Sequence, residues 1–125
     1  VVAPSRAGRS VLIRAPSRVL VAREPVDFRK QIDGLAALCD LVLQEDPLDG
    51  TLFVFRNRRR SAVKMLVWTH GGFLLLYKKL EKGRFRWPSL EGDRGELTPA
   101  ELAALLEGLD VSSAPRQKRW NPQQS

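Results

Sequence analysis

The chain has 125 residues, about one domain's worth of protein, and its 43% hydrophobic content fits a folded core better than a disordered chain. Its 21 basic residues against 14 acidic ones leave a net charge of +7. The single cysteine excludes an internal disulfide, a lone histidine argues against a transition-metal site, and no apolar run approaches the roughly 18 residues that cross a bilayer; a non-secreted, cytoplasmic protein with no membrane partner, metal or cofactor is expected.

Residues 1–17 carry Pro4, Gly8, Pro16 and scattered arginines and read as an extended basic arm, within which Val11, Leu12 and Ile13 offer a short strand. Val19, Leu20 and Val21 are a better strand candidate, closed by a turn at Glu24 and Pro25. A helix is expected next. Asp27 is placed to cap it, and Phe28, Ile32, Leu35, Cys39 and Val42 recur at helical steps on one face. Asp46 before Pro47 is expected to end it, because a residue preceding proline is pushed out of the α region.

The period then changes to that of strands. Leu52 to Phe55 form the first run, and a polar tip at 56–61 interrupts it. Further strands are expected over 63–69, ending at His70, Gly71 and Gly72, over 73–80, and over 84–87 before Pro88. Thr98, Pro99 and Glu101 form a capping-box start for a last helix, whose apolar face is Leu102, Leu105, Leu106 and Leu109 and whose stop is Gly108. These elements predict an α+β domain over 18–112: an antiparallel β-meander sheet of four to six strands, packed against one main helix, with a second C-terminal helix. A polar, flexible tail is expected over 113–125.

Charge is segregated along the chain. Residues 1–22 carry four arginines and no acid, and residues 23–50 carry three bases against seven acids. From 56 to 86 there are ten bases against one acid, Glu81; from 87 to 112 there is one base against six acids. A basic stretch between acidic flanks creates a local field that attracts polyanions. The candidate nucleic-acid-binding residues are therefore Arg56, Arg58, Arg59, Arg60, Lys64, Lys78, Lys79, Lys82, Arg84 and Arg86, with Trp68 as a base-stacking candidate. Strand alternation puts Lys64, Leu66 and Trp68 on one face of their strand and Val63, Met65 and Val67 on the other. If the second face meets the helix, the first is left open and carries Lys64, Trp68, Arg84 and Arg86. The plainer alternative is that these charges solvate a hairpin and blunt a sheet edge, and that Trp68 packs in the core.

No catalytic site is read. Ser61 and Ser89 have no recognisable base partner, and no phosphate-cradling glycine loop occurs. Asp27, Asp33 and Asp40 are the only carboxylates that invite a two-metal nuclease, and Asp27 is better used as a cap.

Several of these stretches, taken together, resemble a known family. Residues 26–35 (VDFRKQIDGL) are similar to its D-M-R-K-G-x-D-G-L motif, and 52–60 (LFVFRNRRR) to its L-F-V-F-R-x-R-R block. Lys64, Leu66, Trp68, Gly72, Tyr77 to Glu81, Gly83 to Phe85, Trp87 and Pro88 then follow in the family's order, and 97–108 matches its closing helix. The chain departs from the pattern at Phe28, Gln31 and Thr69, where methionine, glycine and an acid are usual. The family is that of the small accessory transposition proteins, TnpB, of insertion-sequence-66 bacterial mobile elements. The resemblance implies a non-catalytic accessory role, with strand cleavage left to a separate, larger transposase, and it supplies no active-site residues. DNA at the element ends, the transposase and other proteins of the same element, and further copies of the chain are the expected partners. An adaptor that assembles the transposase without touching DNA is the alternative, motivated by the apolar Phe53, Phe55, Leu74 and Leu76 of the sheet.

Overall fold

A computed structural model describes residues 15–108. The expected strand at 11–13 and the expected tail beyond 112 lie outside them. Strand β1 (Val19–Ala22) leads through a turn to helix α1 (Ile32–Leu41), then to β2 (Leu52–Arg56), β3 (Ala62–Thr69), β4 (Gly72–Lys79), β5 (Arg94–Leu97) and helix α2 (Pro99–Leu106). The fold is α+β, with a five-stranded sheet in the order β4-β3-β2-β1-β5. Strands β2, β3 and β4 form the expected meander. The sheet as a whole is mixed rather than antiparallel, because β1 runs parallel to β2, with Val19 opposite Leu52. The chain between them must cross from one end of the sheet to the other, and α1 makes that crossing.

The β3–β4 turn follows the sequence closely. Thr69 faces Gly72, leaving His70 and Gly71 as a two-residue loop with φ of 53° and 80°. Both in the left-handed region, they give the turn whose twist matches the flanking strands. Helix α2 also starts as expected. The Thr98 hydroxyl accepts from the Glu101 amide at 3.1 Å, and the Glu101 carboxylate accepts from the Thr98 amide at 2.8 Å.

Three local expectations fail. Helix α1 begins at Ile32, with Gln31 as an N-cap that makes no side-chain bond. Asp27 instead accepts from the amide and guanidinium of Arg29 and organises a turn ahead of the helix. The helix also stops before Pro47: Gln44 takes a left-handed φ of 57°, and the turn buries Leu43 in the place expected for Val42, now 54% exposed. Residues 84–87 are not a strand. Phe85, fully buried, and Trp87, whose indole Nε1 donates to the Ala22 carbonyl at 2.8 Å, plug the core from an irregular segment. The strand at the β1 edge of the sheet is β5, which pairs antiparallel with β1, Val19 opposite Leu97. Its Gly95 admits the Leu90 side chain, since a Cβ there would collide with Leu90 Cδ2.

Both faces of the sheet are covered. Leu20, Phe53, Phe55 and Leu66 pack with Leu35, Cys39 and Leu43 of the α1 side. Val21, Val54, Val63, Met65 and Val67 pack with Phe85, Leu97 and Leu105 on the other. That double coverage decides where the charged side chains can go.

Candidate nucleic-acid interface

The connection between β2 and β3 carries three consecutive arginines, and one side chain shapes it. Asn57 Oδ1 accepts from the amides of Ser61, at 2.9 Å, and Ala62, at 3.2 Å, while its Nδ2 donates to Ser61 Oγ at 2.9 Å. The Arg60 amide donates to the Asn57 carbonyl at 3.1 Å, and Arg60 itself sits at φ 61°. An asparagine closing its own turn in this way leaves the intervening side chains directed away from it. Arg58 and Arg59 are exposed and Arg60 is half-exposed.

Arg56 does a different job at the base of this tip. Its guanidinium donates to the carbonyls of Asn57, Arg58 and Arg23 at 3.3, 3.4 and 3.2 Å and lies 5.8 Å from the Trp87 ring centroid. Burial, and then the nearby charge of Arg60, push its pKa below the usual arginine value, with Glu24 opposing. It remains a cation, held by backbone oxygens.

A second basic segment is brought against the first. The Leu80 amide donates to the Ser61 carbonyl at 2.9 Å and the Phe85 amide to the Arg60 carbonyl at 2.7 Å. Exposed Lys82, Arg84 and Arg86 thus sit beside the tip, with an open groove of about 390 Å³ lined by Arg60, Gly83, Arg84, Phe85 and Arg86. Lys79, exposed and opposite Ala62, ends β4 at the same end of the sheet. Among the described residues, Arg58, Arg59, Arg60, Lys79, Lys82 and Arg84 form no salt bridge. Lys30, outside the basic run of the sequence, is exposed just ahead of α1, and its carbonyl accepts from Lys64. Its place beside the sheet was invisible in sequence because the contact spans two distant segments.

Three of the candidate residues lie elsewhere. The open face expected to carry Lys64 does not exist, because α1 and its approach cover it. Lys64 is 4% exposed, and its Nζ donates to the carbonyls of Phe28 and Lys30 at 2.9 and 2.8 Å, within 5.1 and 5.7 Å of the Phe28 and Tyr77 ring centroids. Lys78 points to the opposite side and donates to the Leu106 carbonyl at 2.7 Å, satisfying the C-terminal end of α2. Trp68 is half-buried six residues along β3 from Ala62, about 20 Å away. Its ring meets Phe73 edge-to-face at 5.0 Å.

Of the other chemistry-bearing groups, Cys39 is buried, and burial pushes its thiol up to about 12. The Asp27 carboxyl is held down to about 2, first by its hydrogen bonds from Arg29. Among the described residues, no three His, Cys, Asp or Glu side chains cluster in a way that could hold a metal. No helix there is long and apolar enough to cross a membrane.

The fold is thus a small mixed α+β sheet that gathers cations from two loops at one end. Residues 17–116 match the family described as IS66 Orf2-like protein, and the chain belongs to that family, which is tied to transposition by insertion sequences. It is 42% identical over 106 residues to the uncharacterized protein y4hO of Sinorhizobium fredii, covering 84% of this chain and 90% of the relative. It is 37% identical over 105 residues to y4jC of the same organism, also uncharacterized, with the same coverage. No solved structure matches.

Proposed function

We propose that this chain is a non-catalytic accessory protein of transposition that holds DNA by its phosphate backbone, through Arg58, Arg59, Arg60, Lys79, Lys82, Arg84 and Arg86. The observation that carries the reading is the union of the Asn57-closed tip with the 82–86 segment at one end of the sheet. Guanidinium groups bind phosphate oxygens in a forked geometry, and each phosphate neutralised on a duplex releases counterions, so that log affinity falls with log salt at about −0.9 per contact. Lys64 and Arg56 support this surface from within, and Lys78 is spent on the C-terminal end of α2, rather than touching DNA.

Affinity for duplex DNA of the element ends, measured at several salt concentrations, is the test. Replacing Arg58, Arg59 and Arg60 together by serine is expected to reduce the slope by about 2–3 and weaken binding, while leaving the fold intact. A flat salt dependence, or an unchanged slope in the triple variant, would remove the reading.

A second reading, an adaptor for the transposase, draws on a different place. Phe53 and Phe55 are buried, and Leu74 and Leu76 are partly buried against the core cluster that holds Leu105 of α2, so these four side chains do not form an open apolar face. Leu41, Val42 and Leu48, however, are 74%, 54% and 51% exposed, near Asp40, Asp46 and Asp49. Nuclease-resistant association with the transposase, lost on changing Leu41 and Leu48 to serine, would favour it; loss of the complex on nuclease treatment would count against it.

A further inference from the structure

The edge strand β4 holds an aromatic ring in solvent at the basic end of the sheet. Tyr77 is 60% exposed. Its ring meets the Phe28 ring edge-to-face at 6.0 Å and lies 5.7 Å from the buried Lys64 Nζ, the residue opposite it in β3. Those two contacts fix the ring without covering it, so little side-chain freedom remains to be lost when something docks on it. Lys79 projects from the same face of β4, two residues or about 7 Å further toward the arginine tip. On the other side, Lys30, Gln31, Ile32, Asp33, Gly34 and Leu75 line an open groove of about 610 Å³ between the start of α1 and β4. An exposed, pre-fixed ring with Lys79 beyond it on β4 and exposed Lys30 in the groove at Leu75 fits a nucleotide: the ring meets the base and the ammonium groups meet its neighbouring phosphates.

We propose that Tyr77 is a stacking platform for an unpaired base, with Lys79 and Lys30 on the flanking phosphates and Gln31 and Asp33 offering hydrogen bonds to the base edge. The strand leaving the platform passes over Lys79 to the arginine tip, so the surface as a whole suits a duplex with an unpaired end. This rests on the phosphate-binding reading above, and gives the tip's partner a structure that charge alone does not specify.

Fluorescence anisotropy with a labelled blunt duplex, and with the same duplex carrying an overhang of about five nucleotides, separates the two ideas. The unmodified protein is expected to bind the overhang roughly five- to tenfold more tightly, the lower range of base–aromatic stacking. Tyr77→Ser is expected to erase that preference while keeping blunt-duplex affinity, and Tyr77→Phe to retain it. Fluorescence of 2-aminopurine in the overhang should fall on binding to the unmodified protein and to Tyr77→Phe, but not to Tyr77→Ser. Equal binding of both duplexes by the unmodified protein, or an equal loss on both with Tyr77→Ser, overturns the stacking site. Salt-sensitive binding of the blunt duplex without an overhang preference removes the stacking site alone, whereas no DNA binding at any salt removes the phosphate reading and the stacking site together.

Discussion

On the β1–β5 flank, arginine side chains end on carboxylates: Arg18 and Arg94 both reach Glu45, Arg94 at 2.8 Å, and Arg94 also reaches Asp93 at 3.0 Å. Around the β2–β3 tip, Arg58, Arg59, Arg60 and Arg84 meet no carboxylate among the described residues, while Arg56 and Lys64 beneath them donate to backbone carbonyls. The same residue types thus serve three ends. Paired cations fasten β5 and the loop after α1 to the sheet. Cations that solvate carbonyls replace hydrogen bonds the backbone cannot make for itself. Only the third group, left in water, is available to a polyanion. A net charge of +7 counts all three alike, and the geometry separates them.

The division of cations into these groups has its largest expected effect at Lys64. Lys64→Met keeps the aliphatic bulk but strands two carbonyls, and a loss of about 2–3 kcal/mol is expected in denaturant unfolding. A change within about 0.5 kcal/mol, typical of surface positions, would return Lys64 to the exposed class. On the opposite flank, Glu45→Ala removes the acceptor shared by Arg18 and Arg94 and is expected to cost about 1–2 kcal/mol without altering affinity for DNA. Asn57→Ala lies between the classes. It should cost about 1 kcal/mol and also weaken DNA binding, because the tip loses three hydrogen bonds that set its shape. The smallest effect concerns acid. Asp27 is depressed to about 2 in the folded chain from an ordinary 3.8, so its contribution is present above about pH 4 and disappears as pH falls through 2. Stability measured across that window should fall less steeply in Asp27→Asn.

Much of the architecture is legible in the sequence because local chemistry and tertiary structure agree there. The apolar runs of β1 to β4, the His70–Gly71 turn and the Thr98–Glu101 box are each written in adjacent residues. What escaped was set by distant partners. Arg94, Gly95, Glu96 and Leu97 have little strand propensity of their own and become β5 because β1 offers an unpaired edge. Arg84 to Trp87 alternate like a strand, yet Phe85 and Trp87 are drawn into the core. The tip arginines were legible from charge alone. Lys64 was not, since alternation gives a residue's face but cannot say that the face is covered; the near-continuous apolar run from Ala62 to Val67, with Lys64 alone interrupting it, is the available sign of burial on both sides. Tyr77 lies within the 77–81 stretch of the family pattern, and its exposure depends on where Phe28 and Lys64 come to rest.

The parallel pairing of β1 with β2 has a consequence for the order in which the molecule assembles. The β2–β3–β4 meander closes through turns of a few residues, on the microsecond scale of hairpins. β1 can join only after the chain from 23 to 51 has wrapped across the sheet, and β5 only after β1 has supplied its edge. The arginine tip belongs to the early, local part, while the opposite edge forms across the longest stretch of chain. In native-state hydrogen exchange, amides of β5 are accordingly expected to open at lower free energy than those of β3, so that partial unfolding begins at the edge farthest from the tip.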